Sequence, residues 1–278
     1  MRWSESVAPS ERPPYGQPPW LHLLNPNTKK CMRNDHFSAQ AAQYVLARPT
    51  YPEALIRFVA EAAPGRGCVW DCATGNGQAA VALANYFDQV LATDMSTAQI
   101  AQAEPHPRIR YSVQPAEHVD FPSASVDAVT VAQALHWFDL PNAFAEVRRV
   151  LRPGGLFCAW GYSWSTVTPA IDRVVQQHIL EPIQGDWAAQ NRLLWEGYRT
   201  IALPFTPVTP PKTTIICRWN LHHYLAYMET WSATRRAIRR IGRGFLDAAA
   251  AALEPVWGEA AAVREVQMPI CVIAGRAL

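Results

Sequence analysis

Residues 69–78 read Val-Trp-Asp-Cys-Ala-Thr-Gly-Asn-Gly-Gln, and this stretch decides the expected fold. An apolar run that predicts a strand enters a turn with two glycines, and a helical pattern begins at Gln78. Glycine lets such a turn approach a ligand closely, and the free N–H groups at a helix start favour an anionic group. The spacing Gly75-x-Gly77 is not the Gly-x-Gly-x-x-Gly fingerprint, which counts against a dinucleotide enzyme, and no P-loop sequence occurs.

A second acidic residue, Asp94, follows the next predicted strand, 90–93, and lies 23 residues after Asp71. In open α/β sheets, ligands bind outside the carboxyl ends of the strands, where a carboxylate can accept hydrogen bonds from both hydroxyls of a ribose. The structural alternative is a tight strand–helix turn in which Asp94 caps the helix that begins near Ser96. These residues alone leave both interpretations open.

Strands and helices alternate along the chain from residue 36 onward. This alternation predicts βαβ units and a parallel sheet, here one core sheet with a helical insertion and not two independent domains. The predicted strands are 69–72, 90–93, 109–113, 126–132, 156–160, 212–218 and 263–274. The predicted helices are 36–47, 53–63 (with Leu55, Phe58, Val59 and Ala62 inward), 78–86, 96–103, 141–150 (with Phe144, Val147 and Val150 inward), 169–181 and 221–253.

The composition of the 278 residues, 49% apolar and 17% charged, is typical of a globular protein. No run of about eighteen apolar residues predicts a membrane-spanning helix, and no secretion signal is evident. The six cysteines form no CxxC pair, so we expect reduced thiols and a cytoplasmic protein. Residues 1–33 contain six prolines and predict a mobile extension before a domain at 34–278, although Met32 could equally be the natural start.

Several segments together resemble the class I S-adenosylmethionine-dependent methyltransferases, most of all the small-molecule branch of trans-aconitate-methyltransferase-like proteins. The resemblance covers residues 36–160 strongly and 205–275 weakly. The matching segments, in the family's order, are 71–77 (Asp-Cys-Ala-Thr-Gly-Asn-Gly), 94–95 (Asp-Met), 114–117 (Gln-Pro-Ala-Glu), 133–139 (Gln-Ala-Leu-His-Trp-Phe-Asp) and 148–155 (Arg-Arg-Val-Leu-Arg-Pro-Gly-Gly).

The resemblance implies an α/β, Rossmann-like fold with a seven-stranded, mostly parallel sheet and helices on both faces. It also implies an antiparallel edge hairpin formed by the strands near 212–218 and 264–274. A helical cap that selects the substrate is expected at about 161–205 and 220–255.

The resemblance further implies S-adenosylmethionine as the cofactor and S-adenosylhomocysteine as its product. The glycine loop would lie along the methionine part of the cofactor, Asp94 would bind the ribose, and Met95 would lie beside the adenine. Ala73 replaces the family's first glycine, so we expect its φ to stay negative. The predicted cofactor-binding residues are Tyr44, Arg48, Asp71, Ala73, Gly75, Gly77, Asp94, Met95, Ala116, Glu117 and Gln133. The alternative for Tyr44 and Arg48 is packing and a surface ion pair.

His136 is the predicted general base, because its segment matches the methyl end of the cofactor site. Methyl transfer is an in-line displacement that needs an aligned acceptor and the exclusion of water. A carboxylate acceptor needs no base, whereas a base helps a phenol, an enol or an amine. The predicted acceptor pocket is lined by Trp137, Trp160, Trp164, His222, Trp231 and Arg235. The alternatives are a packed His136, helix packing at Trp231 and a solvated face at Arg235.

We therefore predict a methyltransferase that acts on a small molecule as a monomer or homodimer, with a carboxylate, phenol or enol oxygen favoured and nitrogen possible. No aromatic-interleaved basic stripe supports nucleic-acid binding, no His or Cys spacing supports a metal site, and no membrane contact is expected. No Asn-Pro-Pro-Tyr-type motif follows residues 126–132, which disfavours RNA or protein methylation. The alternative from another class is a non-catalytic S-adenosylmethionine-binding protein that uses an arginine run for a partner. That run is Arg235, Arg236, Arg239, Arg240 and Arg243.

Overall fold

The computed structural model describes residues 48–278, which divide into two compact units. The first, called the sheet unit, comprises residues 50–163, 196–214 and 270–278. The second, called the helical unit, comprises residues 48–49, 164–195 and 215–269. The predicted helix 36–47, and Tyr44 with it, lies outside the described residues.

The described strands form one sheet of eight: β1 (Cys68–Cys72), β2 (Gln89–Asp94), β3 (Ile109–Val113), β4 (Val126–Ala132), β5 (Leu151–Tyr162), β6 (Thr206–Pro207), β7 (Thr213–Trp219) and β8 (Arg264–Arg276). Their order is β3-β2-β1-β4-β5-β8-β6, and β7 pairs with β8. The strands from β1 to β5 pair in parallel, and β8 runs antiparallel to β5 and β6. The prediction of an α/β fold with a mostly parallel sheet is confirmed.

One detail of the predicted sheet, the number of strands, is wrong. The described part of the chain has eight strands instead of seven, because the two-residue β6 pairs with the end of β8. Two residues are too few to show a strand pattern in the sequence. The predicted pairing of the strands near 212–218 and 264–274 is confirmed, since β7 pairs with β8, and three helices lie between them along the chain.

β1 explains why the sheet forms around residues 69–78. All five of its residues are buried, as in a parallel strand that is covered on both faces, and it reads as a nearly continuous apolar run. β1 lies between β2 and β4, with Asp71 opposite Ala92 on one side and Thr130 on the other. This register aligns the carboxyl ends of the three strands at one edge of the sheet.

The described part of the sheet unit contains α1 (Glu53–Ala62), α2 (Gln78–Leu83), α3 (Thr97–Ile100) and α4 (Leu140–Val150). The predicted inward residues of α4 are all buried. Of the four residues predicted to face inward in α1, Leu55 and Val59 are buried. The other two buried positions are Ile56 and Ala60, not Phe58 and Ala62. The hydroxyl of Ser96 caps α3, since it accepts the N–H of Gln99 at 3.3 Å.

The helical unit contains α5 (Pro169–Val175), a π-helical turn (Gln176–Leu180), α6 (Asn191–Trp195), α7 (Leu221–Glu229), α8 (Ser232–Ile241) and α9 (Gly244–Trp257). The Thr168 hydroxyl caps α5 by accepting the N–H of Ile171. The range predicted as helical, 221–253, therefore divides into three helices. Within residues 48–278, no helix has the length and apolar character needed to cross a membrane.

Candidate functional site

The loop between β1 and α2 takes a left-handed backbone at three positions. φ is +55° at Ala73, +58° at Gly75 and +87° at Gly77. The expectation of a negative φ at Ala73 is wrong, because the turn is left-handed there although an alanine occupies the position. A left-handed alanine costs about 1–2 kcal/mol. Such strain persists only where contacts with neighbouring residues offset its cost, so neighbouring residues hold this loop in its shape.

Asp71 anchors this loop to the sheet. Its carboxylate is fully buried and accepts two hydroxyl hydrogen bonds, from Thr74 at 2.5 Å and from Thr130 at 2.9 Å. Burial raises the pKa of the Asp71 carboxyl to about 6. The bond from Thr74 ties the loop to β1, and the bond from Thr130 ties β1 to β4. The predicted role of Asp71 in cofactor binding stays a prediction.

Asp94 joins two loops at the end of the neighbouring strand. Its Oδ2 accepts the N–H of Gly75 at 2.9 Å, and its Oδ1 accepts the N–H of Ser96 at 2.8 Å. Each carboxylate oxygen has a second acceptor site, and the side chain is partly exposed. Asp94 therefore holds the strand–helix turn, although Ser96 and not Asp94 caps α3, and Asp94 can still accept the two hydroxyls of a ribose.

The geometry of this sheet edge fits S-adenosylmethionine. A Cβ added at Gly75 would meet nothing nearer than Gln99 Oε1 at 3.8 Å, so the loop backbone is open to a ligand. Met95, directly after Asp94, is 79% exposed and offers apolar surface for a purine ring. A carboxylate for the ribose, an open backbone and an apolar contact are the features that a nucleoside with an amino-acid chain requires.

Tyr111 is a site residue that the sequence does not indicate. It lies in β3, and a Cβ added at Gly77 would collide with its phenol ring. Its hydroxyl is buried and makes no hydrogen bond to any residue in the described range. The ring closes one side of the loop and leaves room only for glycine at position 77. An aromatic residue in a strand is too common to indicate such a contact beforehand.

The segment after β3 is bonded to the segment after β4. Glu117 Oε1 accepts the backbone N–H of Asp139 at 3.1 Å, and Ala116 is buried beside it in the chain. This bond links Ala116 and Glu117, which are predicted to bind the cofactor, with the segment that carries His136. Their contact with the cofactor stays a prediction.

Gln133 shapes the beginning of the segment after β4. Its φ is +57°, a second left-handed position without glycine at this sheet edge. Its side-chain amide donates to the carbonyl of Tyr162 at 3.0 Å and accepts the N–H of Tyr162 at 2.9 Å. The side chain thereby acts as a strand partner for the end of β5. These bonds determine where the chain leaves β4 and enters the 3₁₀ helix Leu135–Trp137.

His136 lies in this 3₁₀ helix and is only 5% exposed. Its Nδ1 lies 3.0 Å from the hydroxyl oxygen of Tyr198, and the two rings are stacked with their centroids 6.2 Å apart. Burial lowers the pKa of His136 to about 4, so the imidazole is neutral at pH 7. The next residue, Trp137, is 49% exposed. Tyr198 comes from a distant segment of the chain, and no motif marks it.

The six predicted pocket residues are divided between the two units. Trp137 and Trp160 belong to the sheet unit, where Trp160 is fully buried in β5 and meets Tyr51 edge-on at 5.5 Å between ring centroids. His222 is exposed near the start of α7. The residues of the set that belong to the helical unit are Trp164, His222, Trp231 and Arg235. Their assignment to one pocket stays a prediction, as does the role of Arg48.

Trp164 and Trp231 belong to an aromatic cluster inside the helical unit. Trp164 stacks on Trp195 at 5.5 Å between ring centroids and meets Trp231 edge-on at 6.2 Å. Trp187 contacts all three rings at 5.5–6.0 Å. Rings at these distances cover one another's surfaces, so the cluster is a small core. This packing agrees with the structural alternative for Trp231.

Three arginines of the run, two on α8 and Arg243 just before α9, make contacts inside the helical unit. Arg236 donates to the carbonyl of Asp186 at 2.7 Å, and Arg240 pairs with the Asp186 carboxylate at 2.5 Å. Arg243 pairs with Glu229. These internal contacts engage charges that an acidic partner would otherwise bind.

Comparison with known proteins agrees with the site. Residues 70–159, which contain the matching segments from 71–77 to 148–155, match a family model described as a methyltransferase domain. A protein of Dictyostelium discoideum named as a methyltransferase is 33% identical over 204 residues, which are 72% of this chain and 77% of that protein. A Saccharomyces cerevisiae protein named as an S-adenosylmethionine-dependent methyltransferase is 32% identical over 132 residues, 44% of this chain and 45% of the relative.

A solved structure extends the comparison over most of the chain. A protein from Anaeromyxobacter dehalogenans, described as a type II methyltransferase, is 43% identical and has a TM-score of 0.78. The match covers 83% of this chain and 98% of the other. Together with the aligned strand ends, the left-handed glycine loop and Asp94, these similarities show that the chain belongs to the class I S-adenosylmethionine-dependent methyltransferases.

Proposed function

We propose that this methyltransferase methylates an oxygen atom of a small molecule, with a carboxylate as the favoured acceptor. The observation that carries the proposal is the buried contact of neutral His136 with Tyr198. His136 follows β4, where the resemblance implies the methyl end of the cofactor. A carboxylate is already ionised at neutral pH, so no base has to act on it. A phenol or enol would need His136 as its base, and the lowered pKa makes His136 a weak one.

The cofactor side of the reaction belongs to the ends of β1 and β2. When bound, S-adenosylmethionine supplies a sulfonium methyl group, and the sulfur keeps the electron pair of the broken bond. Asp94 would hold the ribose hydroxyls, Met95 would contact the adenine, and the open backbone of residues 73–77 would follow the amino-acid chain. The remaining tasks of the protein are to align the acceptor and to exclude water.

Two features favour a small molecule over a nucleic acid or a protein as the substrate. Residues 133–136 after β4 carry no motif for a planar amino group. Three arginines of the basic run, Arg236, Arg240 and Arg243, are engaged with Asp186 and Glu229 and not free to contact phosphates. We also propose a cytoplasmic location, since the cysteines in the described range are all free thiols, and a monomeric or homodimeric state.

The test begins with calorimetric titration of the purified chain with S-adenosylmethionine and S-adenosylhomocysteine. Transfer of a labelled methyl group is then measured with a panel of carboxylic acids and with phenols of matched size. Saturable cofactor binding and a labelled ester that mild base hydrolyses would support the proposal. Base-stable label on the phenols would contradict the carboxylate assignment. A folded chain that binds neither S-adenosylmethionine nor S-adenosylhomocysteine would contradict the cofactor site.

A further inference from the structure

Tyr198 has an unusual backbone conformation beside His136. φ is +65° at Gly197 and +58° at Tyr198, so two successive residues are left-handed. For a bulky side chain this backbone conformation is rare, and it persists only where surrounding contacts offset its energetic cost. The position of the Tyr198 hydroxyl is therefore maintained against the preference of its own backbone.

The Tyr198 hydroxyl determines which nitrogen of His136 carries the hydrogen. Tyr198 is 1% exposed, and within residues 48–278 its hydroxyl makes one hydrogen bond, to Nδ1 of His136 at 3.0 Å. A buried O–H hydrogen needs an acceptor, and burial raises the pKa of this hydroxyl, so it stays protonated. A neutral imidazole has one donor and one acceptor nitrogen. Because Nδ1 accepts from Tyr198, the hydrogen of the ring lies on Nε2.

The surroundings of the pair leave this N–H free to act on a substrate. The titratable groups that act on Tyr198 are Cys271 and Tyr51, and both are neutral at pH 7 in their ordinary state. Burial is the cause of the lowered pKa of His136, with no contribution from a charged side chain in the described range. Nε2 makes no hydrogen bond to the residues at 48–278.

We propose that Tyr198 is a positioning residue that holds His136 as the Nε2–H tautomer, and that His136 donates this N–H to a carboxylate oxygen of the acceptor. His136 is then a hydrogen-bond donor in the reaction and not a base. One carboxylate oxygen is held, and the other forms the new bond to the methyl carbon while the carbon–sulfur bond breaks and its electron pair stays on sulfur. No proton moves. The carboxylate part of this inference rests on the proposed function, whereas the tautomer does not.

The tautomer can be measured without any substrate, in the full chain with isotope-labelled histidine. A long-range proton–nitrogen correlation spectrum distinguishes both neutral tautomers and the imidazolium, and His136→Gln identifies the signal of His136. At pH 7 we expect His136 to be the Nε2–H tautomer alone. In Tyr198→Phe we expect that His136 no longer occurs as this single tautomer. Tyr224→Phe is the matched control, since it removes another buried hydroxyl, bonded to Ser165 at 2.8 Å, and should leave the tautomer unchanged. An Nδ1–H tautomer or an imidazolium in the unaltered chain overturns the assignment.

The donor role is measured with the carboxylic acid that the acceptor panel identifies. Glutamine offers an N–H near the position of Nε2 but cannot act as a base. His136→Gln therefore distinguishes a hydrogen-bond donor at position 136 from a general base. We expect His136→Gln to keep kcat/KM within about tenfold, and His136→Ala to lose about 10–100-fold, the range for a hydrogen bond to a charged group. Equal losses in the two variants overturn the donor role. A chain that binds no S-adenosylmethionine refutes the proposed function instead, and the tautomer result still stands.

Discussion

The loop after β1 and the segment after β4 leave the same edge of one sheet, yet they are held by different interactions. The loop is organised by two carboxylates: Asp71 accepts the hydroxyl of Thr74, and Asp94 accepts the N–H of Gly75. A carboxylate binds hydroxyl and N–H donors strongly and favours a nearby positive charge. This region therefore suits a ribose and a sulfonium.

The segment after β4 is organised by neutral groups. The amide of Gln133 binds the backbone of Tyr162, and neutral His136 meets the hydroxyl of Tyr198. Neutral donors can orient an anionic acceptor without the repulsion that a carboxylate would exert on it. The comparison indicates that one sheet edge separates the binding of a cofactor from the orientation of an acceptor. Substitutions in the loop should therefore affect folding and cofactor binding.

Gly77→Ala should have the largest effect, because a left-handed alanine at this position also collides with Tyr111. We expect the free energy of unfolding to fall by about 3 kcal/mol, from backbone strain and overpacking together. Urea unfolding measures this loss. Gly75→Ala is the matched control: it is also left-handed but has space for a Cβ, so it should lose only about 1 kcal/mol. Equal losses would show that Tyr111 does not close the loop.

Asp94→Ala should weaken the binding of S-adenosylmethionine on the order of 100-fold, because the ribose loses its acceptor and the N–H groups of Gly75 and Ser96 lose theirs. Calorimetric titration measures the change in Kd. Asp88→Ala is the control, since Asp88 is exposed just before the amino end of the same strand and should leave the affinity unchanged. Wild-type affinity in Asp94→Ala would remove Asp94 from the site.

The buried carboxyl of Asp71 should give the loop a distinct pH dependence. Its pKa is raised to about 6 in the folded chain, against about 3.9 in an unfolded one, so the folded state binds the proton more tightly. The stability from this shift is present below about pH 4 and is lost as the pH rises through 6. Relative to Asp71→Asn, the wild type should gain about 2 kcal/mol in unfolding free energy between pH 7 and pH 4.

For His136, in the segment after β4, the unfolding free energy should change with pH in the opposite direction to that for Asp71. Its pKa is lowered to about 4, so its stability contribution is present above about pH 6.5 and is lost as the pH falls through 4. Relative to His136→Gln, the wild type should therefore lose stability on acidification. Denaturant unfolding at both pH values checks the two signs, and a difference of the same sign for both variants would refute the assignment.

Ala73→Gly should have the smallest effect and should stabilise the fold. Glycine accepts the left-handed backbone that alanine resists, although it adds freedom to the unfolded chain, so we expect a gain of about 0.5–1 kcal/mol. Thermal unfolding measures it. Ala124→Gly is the matched control, because Ala124 has a similar φ of +51° before β4. A destabilised Ala73→Gly beside a stabilised Ala124→Gly would show that the Ala73 side chain itself supports the loop.

Much of the sheet could be predicted because strand patterns are local. β3 and β4 have the predicted bounds, and the inward residues of α4 follow a simple helical stripe. The errors occur where the pattern is too short or the deciding partner is remote. β6 has only two residues, too few to show a strand pattern. The φ of Ala73 is set by its neighbours and not by the preference of alanine.

The sequence by itself determined the order of strands and helices, the glycine loop and the acidic residue at the end of β2, because each depends on neighbouring residues in the chain. The tertiary structure alone decided that Tyr111 closes the loop at Gly77 and that Tyr198 bonds to His136. His136 and Tyr198 are 62 positions apart, so no local pattern relates them. Their contact exists only when the packed core brings two distant segments within hydrogen-bonding distance and withdraws both side chains from water.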